Sequence, residues 1–179
     1  MNKHPYFGRI EKHEFGSGFQ AEYTFNIPYF EKDVIVYLGD EYDEDWEEIE
    51  TPPTVEQVNE FEPTLKSFLE HIDDAIQSIQ ESAFEYYRKY YAKYYETDFE
   101  VMFTCDKMQE SENGELHPAL DIDTKEKHFE YMKDILEAIR VSEKGTIRIP
   151  IHYDLDQEHG LEIKLVRNKV VAIGGIADT

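Results

Sequence analysis

Leu65, Leu69, Ile72, Ile76, Ile79, Ala83, Tyr86 and Tyr90 recur at alternating spacings of four and three. That period matches one structure, a helix with a single apolar seam. The helical stretch opens at Thr54-Val55-Glu56-Gln57, a capping box with Gln57 three residues after the hydroxyl cap. Pro63 either kinks it or starts a second helix at its first turn. Helix is expected over residues 54–96. The thirty-odd residues beyond Pro63 would measure roughly 45–50 Å as one rod. A chain of 179 residues folds into a shorter globule than that. The helix must therefore bend, break or project.

Both ends of the chain follow the other period. Residues 6–14 and 19–27 are aromatic-rich and flank Gly16-Ser17-Gly18, a turn signal. In 19–27 every odd position is apolar or aromatic, which marks a strand with one buried face. Residues 34–38 supply a third strand, closed by Gly39. A shorter helix is expected over 124–141, capped by Asp123 or Thr124, with Phe129, Met132, Ile135, Leu136 and Ile139 inward. A β-meander then occupies 146–174, its last two strands joined by a tight turn at Arg167-Asn168. The order implies a single α+β domain over 1–179. An antiparallel sheet of N- and C-terminal strands is packed on one face by the long central helix and the shorter one.

Composition narrows the functional classes. Forty acidic against eighteen basic residues leave a net charge of −22. Nucleic-acid and anionic-membrane binding both need the opposite balance. With thirteen Tyr, eleven Phe and 40% hydrophobic residues, the chain has core material that disordered acidic chains lack. Cys105 is the single cysteine, so no internal disulfide forms. No signal-peptide h-region or spanning segment stands out, and a cytoplasmic location is expected.

The densest charge run lies within the expected loop 40–53. Residues 40–50 hold eight acids and no base: Asp40, Glu41, Asp43, Glu44, Asp45, Glu47, Glu48 and Glu50. Tyr42, Trp46 and Ile49 interrupt it. A solvated loop reads this way. So does a partner-facing patch with Trp46 as its anchor, since tryptophan is enriched at interface hot spots.

Other clusters carry less chemistry. Tyr86, Tyr87, Tyr90, Tyr91, Tyr94 and Tyr95 cover about half a helix circumference, as expected of a packing face with hydroxyls at the rim. Asp154, Asp156 and Glu158 beside His159 suggest a calcium loop or a metal-dependent hydrolase. However, Gly160 falls one place late for the calcium pattern, and Lys164 lies near the position of the closing glutamate. His152 and His159 bracket this loop, and none of the seven histidines forms a zinc motif. Cys105 follows an apolar run and reads as a strand thiol. No catalytic motif is present, and no cofactor or metal is expected.

The C-terminal third carries a resemblance. Asp156-Gln157-Glu158-His159-Gly160-Leu161-Glu162-Ile163, then Val170-Val171-Ala172-Ile173-Gly174 and Asp178, resembles the ending of a family of small acidic uncharacterised bacterial cytosolic domains. Those proteins often read D-E-E-H-G-L-G-V followed by V-V-x-I-G; Glu162 stands where their second glycine is usual. Thr54-Val55-Glu56-Gln57 before a helix ending in paired tyrosines, and His4-Pro5-Tyr6-Phe7-Gly8, are similar too. The resemblance implies an α+β fold and no established catalytic residues, and some relatives look like immunity proteins of toxin systems. The expectation is a protein-binding module whose site is Asp40, Glu41, Asp43, Glu44, Asp45, Trp46, Glu47 and Glu48. Its partner is a basic protein, such as a toxin. A monomer is expected if the helical seam is internal, and a homodimer if a second copy covers it.

Overall fold

The computed structural model describes residues 3–13, 18–100, 116–176 and 179. Cys105 and the run before it lie outside them. Three short strands come first, β1 (Ile10–Lys12), β2 (Phe19–Ala21) and β3 (Ile35–Leu38). The helical region follows as α1 (Val55–Glu70), α2 (Ile72–Tyr90) and the single turn α3 (Ala92–Tyr95). Strands β4 (Phe99–Glu100) and β5 (Leu116–His117) form a separate pair. Then come α4 (Lys125–Met132), β6 (Ala138–Ser142), β7 (Thr146–Ile151), β8 (Leu161–Val166) and β9 (Lys169–Gly174).

Seven strands make one sheet in the order β1-β2-β3-β6-β7-β8-β9. It is antiparallel except where β3 meets β6. A parallel pair needs a long crossover, and all four helices lie in this one. The registers Leu38↔Val141, Val141↔Ile147, Ile147↔Leu165 and Ile149↔Ile163 align apolar side chains on one face. With Val58, Phe61, Leu65, Phe68, Ile76 and Ile79 from α1 and α2, they form the core.

Three expectations are corrected. First, the helix expected to run to 141 ends at Met132, and after one 3₁₀ turn the chain leaves helical geometry at Leu136 (φ −84°, ψ 86°). The spacing of Met132, Leu136 and Ile139 mimics a helical seam. Yet Ile139 and Val141 alternate into the sheet core beside β3. Pairing with β3 decides the outcome over local pattern.

Second, Pro63, expected to kink the helix or start a second one, sits inside α1 without ending it; the long helix breaks, one of the expected outcomes, but at His71 and again at Tyr91. At the first break the His71 ring lies 2.9 Å from the Ser67 carbonyl. Asp73 and Asp74 fall in the first turn of α2, where the helix dipole favours acids. The seam rotates as well, because past Ala83 the buried residue is Tyr87, and Tyr90 is exposed. Third, the strand expected over 19–27 lasts only to Ala21; Tyr23, on its inward set, is exposed, and pairing resumes only as a single bridge between Phe25 and Val34.

The capping box at Thr54 and Gln57 forms as expected, as does the C-terminal meander. Arg167 and Asn168 turn between β8 and β9 at φ 51° and 65°. The Asn168 amide donates to the Ser67 carbonyl at 3.3 Å, tying this hairpin to the break.

Candidate functional site

The acidic run folds as a hairpin. Gly39 (φ +84°) closes β3, donating its N–H to the Val141 carbonyl at 2.8 Å. Tyr42 and Glu48 bridge across, and Ile49 N–H donates to the Glu41 carbonyl at 3.0 Å. At the tip, the Asp43 carboxylate accepts from the N–H groups of Asp45 (2.9 Å) and Glu47 (3.0 Å). This holds Trp46 at φ 63° with 67% of its surface exposed. Its ring lies 6.5 Å from that of Tyr42.

The eight expected site residues divide into two sets. Asp40 accepts from the Ser142 hydroxyl at 2.8 Å, and Glu41 pairs with Arg140 at 3.0 Å. Lys12 bridges Glu48 (3.1 Å) and Glu50 (2.7 Å). Asp43 is committed to its own turn. Glu44, Asp45 and Glu47 form no ion pair among the described residues, and they surround Trp46.

The hairpin walls a cleft of about 670 Å³ on the helix-free face of the sheet. Arg140 and Arg148 line it from a row running across the strands: Tyr37 opposite Arg140, then Arg140 opposite Arg148, then Arg148 opposite Lys164. Like charges directly opposite destabilise a sheet unless each is compensated. Arg140 is compensated by Glu41 and the Gly39 carbonyl (3.1 Å), with the Tyr37 ring 5.1 Å beneath it. Arg148 pairs with Glu162 at 2.9 Å and also donates to the Thr179 carbonyl. Its Nε is buried without a hydrogen-bond partner among the described residues.

Sequence reading missed this row. The expected helix over 124–141 includes Arg140, while the only pointer to Arg148 and Glu162 in the sequence is that each stands between two apolar residues of a strand. Among the described residues of its lining, the Thr179 hydroxyl donates to the Glu162 carboxylate, which also pairs with Arg148. Its lining presents acidic, guanidinium and aromatic groups.

The loop after β7 is tied inward. Asp156 accepts from the N–H of His159 (3.1 Å) and the Tyr91 hydroxyl (2.9 Å), and lies 3.1 Å from the His159 ring. Burial alone would raise its pKa. The hydrogen bonds from His159 and Tyr91 outweigh that and hold the carboxyl below its usual range. Among the described residues no three metal-ligating side chains converge, here or elsewhere.

The tyrosine ladder splits. The buried Tyr87 hydroxyl donates to Glu96, and Tyr95 donates to the Leu155 carbonyl at 3.0 Å, while Tyr90 and Tyr94 face solvent. Beside Tyr87, the His128 ring is buried 2.8 Å from the Tyr153 hydroxyl. That burial lowers its pKa to about 4.

A family model described as a domain of unknown function, DUF6985, matches residues 6–178. No curated protein and no solved structure matches the chain. No described helix is long and apolar enough to cross a membrane.

Proposed function

The chain belongs to the DUF6985 family, and from that premise we propose that it is a non-enzymatic binding module whose hairpin at 40–50 engages a basic protein. One observation carries the reading. Trp46 is presented at 67% exposure on a hydrogen-bonded turn, among Glu44, Asp45 and Glu47, which no described cation neutralises. An exposed aromatic anchor loses little conformational freedom on docking when its backbone is already held. The charge of −22 steers a cationic partner, and the three free acids orient it at contact.

A toxin domain that binds nucleic acid fits this chemistry, because carboxylates then occupy the lysines and arginines that hold phosphate. The protein would act on it as an immunity-type inhibitor. Affinity capture from the source cell's lysate tests the reading, with wild type, Trp46→Ala and a Glu44→Ser/Asp45→Ser/Glu47→Ser variant compared in parallel. A basic protein retained by wild type at low salt, and lost by both variants, is the expected result. The triple variant should slow its association on the order of tenfold. Equal capture by all three proteins would remove the hairpin from the mechanism.

A further inference from the structure

The two edges of the sheet are protected differently. Strand β1 is three residues long and carries Glu11 and Lys12, a short charged edge of the kind that resists pairing with another chain. Strand β9 is six residues long, and beyond Lys169 it holds only Val170, Val171, Ala172, Ile173 and Gly174. Val171 is 57% exposed. The Ser78 hydroxyl takes the Val170 N–H at 3.4 Å, and beyond it no described strand pairs with this edge. Between this edge and α2 runs a groove of about 390 Å³, with Glu85, Lys89 and Tyr90 on the helix side and residues 170–173 on the strand side.

The charges around this groove break the pattern of the rest of the molecule. Lys3, Arg9, Lys12, Lys32, Lys66, Lys125, Lys127, Lys133, Arg140 and Arg148 each lie within 4.0 Å of a carboxylate. Described cations without a carboxylate partner gather in two places. Arg88, Lys89 and Lys93 stand at the end of α2 and just beyond it. Lys164, Arg167 and Lys169 lie on the β8–β9 hairpin, with Lys144 in the turn against Arg167. Lys89 and Lys93 lie over the rings of Tyr90 and Tyr94, at 4.7 and 4.5 Å. The groove lining itself balances Glu85 against Lys89, while Arg167 and Lys169 at the other end of the strand have no described carboxylate within 4.0 Å.

We propose that the β9–α2 groove takes an extended acidic peptide segment, which adds to the sheet as a further strand along β9. Main-chain hydrogen bonds to the free edge supply affinity, and an apolar side chain against Val171 and Tyr90 supplies register. Carboxylates on the peptide meet Lys89 at one end and Arg167 and Lys169 at the other. The net charge of −22 repels an acidic ligand at long range, so these cations act at contact. This site is independent of the hairpin and opposite to it in sign.

The test uses short synthetic peptides, one alternating glutamate and valine and one alternating lysine and valine, titrated into the full chain and followed by backbone amide shifts. The glutamate peptide is expected to shift the amides of 171–174, and the lysine peptide to leave them in place. Lys89→Glu/Lys169→Glu changes only exposed side chains and should weaken the glutamate peptide by about tenfold or more. Equal binding of both peptides, shifts confined to other residues, or unchanged affinity in the charge-reversed variant would each overturn the proposal. So would a dimer in sedimentation that pairs through β9 and resists the glutamate peptide.

Discussion

On the helix-covered face of the sheet, Val36, Ile139, Ile147 and Ile163 stand in successive strands and are fully buried under α1 and α2. One residue along, the same strands carry Tyr37, Arg140, Arg148 and Lys164 on the opposite face, with no described helix above them. The first face is held by apolar area, at roughly 1.5–3 kcal/mol for each large side chain withdrawn from water. The second is held by charge compensation, since Arg140 with Glu41 and Arg148 with Glu162 neutralise a row that would otherwise repel itself. Apolar burial tolerates no polar ligand, whereas paired charges at a cleft can be re-paired. That difference is what the proposed recognition role of the open face relies on, while the covered face maintains the fold.

The largest break in the comparison comes from the covered face. Phe68→Ala empties a fully buried site on α1 and should cost about 4 kcal/mol in chemical denaturation. Equal loss from any single change on the open face would erase the distinction.

Next in size is the pH response of the covered side. His128 is neutral in the fold, with its pKa lowered to about 4 from 6.5. The unfolded chain therefore takes up the proton first as pH falls. The stability His128 contributes is complete above about pH 6.5 and is lost as pH falls towards 4, by up to about 3 kcal/mol. His128→Gln should flatten the stability profile in that window. A profile as steep as wild type would place the acid sensitivity in other groups.

The smallest effect belongs to the open face. Arg140→Met strands Glu41, which is about a third exposed, and should cost about 1 kcal/mol. Adding Glu41→Gln should recover most of it. Failure to recover would mean that Arg140 acts through the Gly39 carbonyl rather than through the ion pair.

Legibility in the sequence followed the range of the interactions. The capping box of Thr54 and Gln57 spans three residues, and the Arg167-Asn168 turn spans two, so local chemistry revealed both. The meander was legible because consecutive strands pair with short connections. The hairpin's Trp46 and its acids were visible as composition. Which acids remain unpaired was not, because Glu41 is neutralised by Arg140, a residue 99 positions away. Strand β6 was misread because Met132, Leu136 and Ile139 satisfy a helical spacing, and only β3 beside it reveals the other.

By itself, then, the sequence determined an acidic α+β chain with a capped helical region, a terminal meander and an aromatic anchor in an acidic run. These follow from periodicity, capping and turn chemistry, which act over a few residues. The tertiary structure alone decided that the sheet continues through β6, that the helix breaks at His71, and that Arg140 and Arg148 line a cleft. It also left the cations beside β9 without a described carboxylate within 4.0 Å. Pairing depends on distance in space, and folding brings together charges that the chain holds a hundred residues apart.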